Sequence, residues 1–150
     1  MKVKRVNRYY CDFCKKSGCS KPALAKHEKH CTMNPARECR MCAFAELSGE
    51  PLSKLIAIMP TPPTDYNDLT DAESFEAFAR SFIPKLRTEA DGCPTCMMAA
   101  IRQSGWRVPA MRDIYGENKQ ESFDYKKESD ELFEEIHNAE YRAEMNSHMY

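Results

Sequence analysis

The stretch CTMNPARECRMC, running from Cys31 to Cys42, decides how this chain is read. Upstream of it, Cys11-x-x-Cys14 is followed by His27 and then by Cys31, which makes one complete set of metal-type ligands. At its far end Cys39-x-x-Cys42 opens a second set after a gap of seven residues. No histidine or cysteine then occurs between Cys42 and Cys93, so nothing nearby closes that set. The next candidates are Cys93-Pro-Thr-Cys96, beyond fifty intervening residues. The expectation is one local site and one split site.

Composition favours metal as the staple. Of 150 residues, 42% are hydrophobic and 30% charged, so the core is small, and small cores lean on metals or disulfides. The N-terminal MKVKRVNRYY has no apolar stretch of the secretory kind, and no run of apolar residues is long enough to span a bilayer. A cytoplasmic location without a membrane partner is therefore expected. Thiols stay reduced there, and paired cysteines are read as metal ligands before disulfides. Two zinc ions per chain are expected.

At the first site, CxxC in a tight turn sets two thiolates side by side. His27 and Cys31, four apart, share one face of a helix, so Cys11, Cys14, His27 and Cys31 can converge on one ion. Ser20 fits an N-cap, Pro22 is tolerated in the first turn, and Asn34-Pro35 stops the helix. His30 is a rival to Cys31 as fourth ligand. The pattern over residues 9–36 resembles the CCHC variant of the CCHH zinc-finger family, with Tyr9 at the family's aromatic position and Leu24 at its core leucine. Gly18 stands where that family has its central aromatic, which implies an underfilled core; Cys19 beside it is read as a small buried filler or an extra ligand. The resemblance makes Ser20, Ala23 and Lys26 the base-facing positions. Only lysine among them is a strong donor, so sequence-specific reading by this finger is not expected. Lys15, Lys16, Lys21, Lys26 and Lys29 can instead hold phosphates, or simply form a solvated basic face.

The second site pairs Cys39 and Cys42 with Cys93 and Cys96. One pair on a knuckle and one opening the helix CMMAAIRQS resemble treble-clef or zinc-ribbon sites. Gly92 and Pro94 suit the turn before that helix. The long insertion costs little, because loop-closure entropy grows only logarithmically with length. It carries a short apolar helix in LSKLIAIMP and a longer one in DAESFEAFARSFIPKLR, whose Phe75, Phe78, Phe82 and Leu86 recur at helical spacing and are read as core. Four thiolates also suit iron or an Fe–S cluster, and CPTC alone can be a redox dithiol.

Beyond this, Arg102, Trp106, Arg107, Arg112 and Tyr115 interleave cations and aromatics, either as a nucleic-acid surface or as packing over the second site's helix. The tail from about 124 to 146 reads as one amphipathic helix through Tyr125, Leu132, Phe133, Ile136, Ala139 and Ala143, docked on the body with its carboxylates outward. His137 and His148 have no metal-ligand company.

The expected fold is mainly α with small β-hairpin or knuckle elements at the metals. It divides into a finger (1–36), a four-cysteine helical body (37–116) and an acidic helix (117–150). Residues 1–42 hold eleven Lys/Arg against three Asp/Glu, while residues 117–150 hold four against ten. No P-loop, HExxH or Ser/His/Asp pattern occurs, and a nuclease of the HNH type needs a histidine between its CxxC pairs. The expected function is non-enzymatic: contact with nucleic-acid backbone through the basic finger, in a regulatory role. The alternative is a protein-interaction adaptor or inhibitor. One finger running into a further CxxC also resembles small phage and bacterial zinc-finger proteins, which implies a modulator of a host protein.

Overall fold

The computed structural model describes residues 5–61, 72–105, 113–114 and 123–147; side chains are described at 5–61, 81–105 and 123–145. Phe75 and Phe78 (as side chains), Trp106, Arg107, Arg112, Tyr115 and His148 lie outside these limits.

The chain starts with a minimal hairpin, β1 (Tyr9–Tyr10) antiparallel to β2 (Ser17–Gly18), and α1 (Lys21–His30) follows at once. Ser20 caps α1, its hydroxyl accepting from the Ala23 N–H at 3.4 Å, and Pro22 sits in the first turn where no N–H is needed. The helix ends at His30, short of Asn34-Pro35: Cys31 is its C-cap and has left the helical conformation, at φ −59° and ψ 130°. Asn34 does the stopping, its side-chain amide donating to the Glu28 carbonyl at 2.8 Å.

Next come α2 (Arg40–Ala45), α3 (Leu52–Ile58), α4 (Ala72–Glu89) and α5 (Pro94–Gln103). A second hairpin, β3 (Asp113–Ile114) with β4 (Phe123–Asp124), leads into α6 (Tyr125–Ser147). That hairpin carries no alternating pattern long enough to be visible in the sequence. The mainly α fold with a small hairpin at the first site matches the expectation.

Helix α5 is the hub, packed by α3, α4 and α6. Pro94 and the run from Met97 to Ile101 are buried, and they meet Leu55 and Met59 of the α3 segment, Phe82, Ile83 and Leu86 of α4, and Phe123 of β4. Phe82 and Leu86 thus belong to the core, as their spacing implied. A helix apolar on most of its surface is one surrounded by others.

Helix α6 departs from its expected docking. Ser129 is buried and Tyr125, Leu132 and Ile136 are partly so, but every described side chain from His137 to Met145 is exposed, Ala139 and Ala143 included. Phe133 is half exposed and packs on the equally exposed Phe44 of α2, with ring centroids 5.5 Å apart. The reason is length: α6 has 23 residues, and α5, its main support, has 10. Nor do all carboxylates point outward. Glu128 is largely buried in a paired contact with Arg87 of α4, accepting from Nη2 at 3.1 Å.

One close approach sets the height of α2 on the body. Gly49 lies against the backbone of Ala90, and a Cβ at Gly49 would stand 2.6 Å from the Ala90 carbonyl. The Glu50 N–H donates to the Glu89 carbonyl at 2.7 Å, and the Ser48 N–H to the Asp91 carboxylate at 2.9 Å. Gly92, at φ +70°, completes the turn between α4 and α5 with its N–H on the Arg87 carbonyl. Gly49→Ala should therefore destabilise the protein by about 1–3 kcal/mol, the usual cost of overpacking. It should lower Tm and loosen zinc at Cys39/Cys42/Cys93/Cys96 while sparing the finger, as read by thermal unfolding and chelator competition.

Candidate metal centres

The first centre is built from the hairpin and α1. The Cys11 N–H donates to the Lys16 carbonyl at 2.9 Å, which closes the loop, and the Lys16 N–H donates to the Cys14 sulfur at 3.4 Å. Both thiols are thereby aimed at one side. Helix α1 brings in His27, whose Nε2 lies 3.3 Å from the Cys14 sulfur, and Cys31 just past the helix end supplies the fourth atom. The ligand atoms of Cys11, Cys14, His27 and Cys31 all lie within 4.8 Å of one another. Around a tetrahedral zinc, neighbouring sulfur and nitrogen atoms stand about 3.6–3.8 Å apart, so the set fits with little movement. Burial, helped by the positive charge of Lys16, lowers the His27 pKa and favours the neutral imidazole that ligates metal. His30 is turned elsewhere, with Nδ1 2.9 Å from the Glu38 carbonyl.

The finger's core is as thin as Gly18 implied. Leu24 is buried among the ligands with Tyr9 and Met33 beside it. A Cβ at Gly18 would meet nothing within 4 Å, and a cavity of about 200 Å³ opens there, lined by Gly18, Cys19, Leu24 and His27 among others. Cys19 does not fill it. Contrary to expectation its side chain is exposed and stands outside both ligand sets, because the turn into α1 points it to solvent.

The second centre joins the starts of two helices. Cys39 is the N-cap of α2, its sulfur accepting from the Cys42 N–H at 3.4 Å; Cys93 is the N-cap of α5. The knuckle expected at Cys39/Cys42 is replaced by a helical turn, so both pairs open helices. At Cys39 the sulfur takes the place of a capping oxygen, and a helix N-terminus favours the thiolate. Cys39 and Cys93 sulfurs are 3.6 Å apart and Cys42 and Cys96 sulfurs 3.5 Å apart, with all four within 4.8 Å. These separations match the edges of a tetrahedron around zinc (about 3.8 Å) and are far from a disulfide bond. Hydrogen bonds from Cys42 and Cys93 hold the Cys39 thiol well below its usual range, while the bond to Cys39, followed by those to Cys42 and Cys96, pushes Cys93 far above it. Four sulfurs competing for protons at this distance are a site that a divalent cation relieves. The two four-ligand clusters fit two zinc ions per chain.

Spacing alone did not reveal Arg37. Its Nη1 donates to the Cys96 sulfur at 3.6 Å, and the nearby Cys39 and Cys96 sulfurs raise its pKa against the opposing effect of burial. Four thiolates around one Zn²⁺ leave two negative charges, and a guanidinium in contact offsets part of that. An arginine two residues before a CxxC was the only available signal.

The segment between the two centres is folded rather than slack. The Glu38 N–H donates to the Lys29 carbonyl at 2.9 Å, and Lys29 and Glu38 pair through their side chains at 2.9 Å. From α5, Gln103 donates to the carbonyls of Thr32 (2.6 Å) and Asn34 (3.2 Å), and Arg102 to the Thr32 hydroxyl (2.9 Å). The finger is thus bonded to the helix that carries Cys93 and Cys96.

Among the phosphate candidates, Lys15, Lys16, Lys21 and Lys26 are exposed on the finger, and Lys29 is taken up by Glu38. No family model, curated protein or solved structure matches the chain.

Elemental analysis with native mass spectrometry should find two zinc ions per chain, falling to one in Cys14→Ser and to one in Cys96→Ser. Arg37→Met should keep both ions but speed chelator extraction from the second centre by about 10- to 100-fold, the usual weight of an outer-shell partner, with the finger as internal control.

Proposed function

We propose that this protein is a non-catalytic, zinc-stabilised regulator that contacts nucleic-acid backbone through its finger. The observation that carries this reading is the exposure of Lys15, Lys16, Lys21 and Lys26 on one small, metal-braced unit. Arg5 and Arg8 are exposed beside them. Carboxylates offset these charges only in part: residues 5–31 hold seven Lys/Arg against two carboxylates, Asp12 and Glu28, and Glu38 is engaged with Lys29. A rigid cation cluster is what a phosphate backbone recognises.

Low specificity follows from the same residues. Ser20 is occupied as the cap of α1 and Ala23 carries only a methyl group, which leaves Lys26 as the strong donor among the base-facing positions. A role without catalysis is supported by ligand count, since each centre has four protein ligands and a catalytic zinc keeps one position open.

Affinity for duplex or single-stranded oligonucleotides should fall steeply with salt, at a slope of about −0.7 to −0.9 per phosphate held. Reversing charge at Lys15, Lys16 and Lys26 together should abolish binding without loss of zinc. Binding that ignores salt, or survives the triple reversal, would sink the reading.

A further inference from the structure

The exposed surface of the first hairpin holds more than cations. In β1 the two tyrosines point to opposite sides, as alternate strand residues do. Tyr9 turns inward and packs against the ligand cluster, whereas Tyr10 is 65% exposed. Three residues on, inside the metal-binding loop, Phe13 is 40% exposed. The finger core consists of Leu24 and the ligands with Tyr9 and Met33, so neither Tyr10 nor Phe13 contributes to it. Arg8, Lys15 and Lys16 are exposed within the same short stretch. Two outward aromatics among cations therefore stand on a loop held by the Cys11–Lys16 and Lys16–Cys14 hydrogen bonds.

We infer that Tyr10 and Phe13 form a stacking platform for unpaired bases, so that the finger's preferred ligand is single-stranded nucleic acid. The inference rests on the reading of the finger as nucleic-acid-facing and names the ligand class. Phosphate contact alone needs no aromatic groups. In a duplex the faces of the bases are already stacked on one another, and a surface ring has nothing to cover. In a single strand each base offers an open face, and aromatic groups between cations are the usual means of holding it. Charge agrees with this occupant: Arg8, Lys15 and Lys16 are exposed within a few residues of the two rings in sequence, Arg5, Lys21 and Lys26 are exposed elsewhere on the finger, and Asp12 is the one carboxylate within the loop. Because the loop is braced by its own hydrogen bonds and by two metal ligands, little conformational freedom is lost when a base docks.

The test compares labelled oligo(dT) and oligo(U) with a duplex of equal length, by fluorescence anisotropy on the full zinc-loaded chain. Wild type should prefer the single strands. Tyr10→Leu and Phe13→Leu should each lower single-strand affinity by about five- to a hundredfold, with duplex affinity and salt slope nearly unchanged. Tyr10→Phe should restore binding, and two zinc ions per chain in each variant would establish that the fold is kept. If the leucine variants bind single strands as well as wild type, or lose single strand and duplex equally, the platform is refuted while backbone contact stands. If wild type binds none of the three, both readings fall, and capture of a protein partner through the same aromatics becomes the competing account.

Discussion

The arrangement of this molecule depends on four sulfurs brought within 4.8 Å of one another from two ends of a long excursion. Cys39 and Cys93 each cap a helix, so two positive helix termini converge on one cluster of thiolates. Structural zinc binding in small domains is worth about 10–16 kcal/mol. That is comparable with the whole net stability of an ordinary domain, about 5–15 kcal/mol. The segment from α2 to α5 can therefore be clamped by one ion, and the apolar packing around α5 fills what the clamp encloses.

Around that clamp the backbone is fitted closely. Gly49 against Ala90 and Ser48 against Asp91 hold the end of α2 beside the turn that presents Cys93. Arg37 reaches the same cluster through the Cys96 sulfur. The finger, with a core too thin to hold its position by packing, is fastened through Thr32 and Asn34 to the end of α5. The residues between Cys31 and Cys39 thus act as a joint between two metal centres rather than as a slack linker.

Charge is distributed along this frame. Half of the Lys/Arg, eleven of 22, fall in residues 1–42, and ten of the 23 Asp/Glu fall in residues 117–150, where the described side chains of α6 from His137 onward are exposed. The partly buried Arg87–Glu128 pair shows that sequence position alone does not sort carboxylates into inner and outer ones. Glu128 faces α4 because it lies on the half of α6 that has a neighbour.

By itself the sequence determined the helical segments other than α2, the capping of α1 by Ser20, the turn at Gly92 and the candidate ligands at both centres. These are short-range matters of spacing, capping and backbone freedom, which local chemistry controls. The exposure of Cys19, the helical turn in place of a knuckle at Cys39, the sulfur contact of Arg37, the β3–β4 pairing and the undocked half of α6 were decided only in the tertiary structure. Each depends on which surface lies opposite, and that is set by residues far away in the chain. A periodic apolar stripe records that a face prefers burial; only the length of the partner helix decides how much of it is covered.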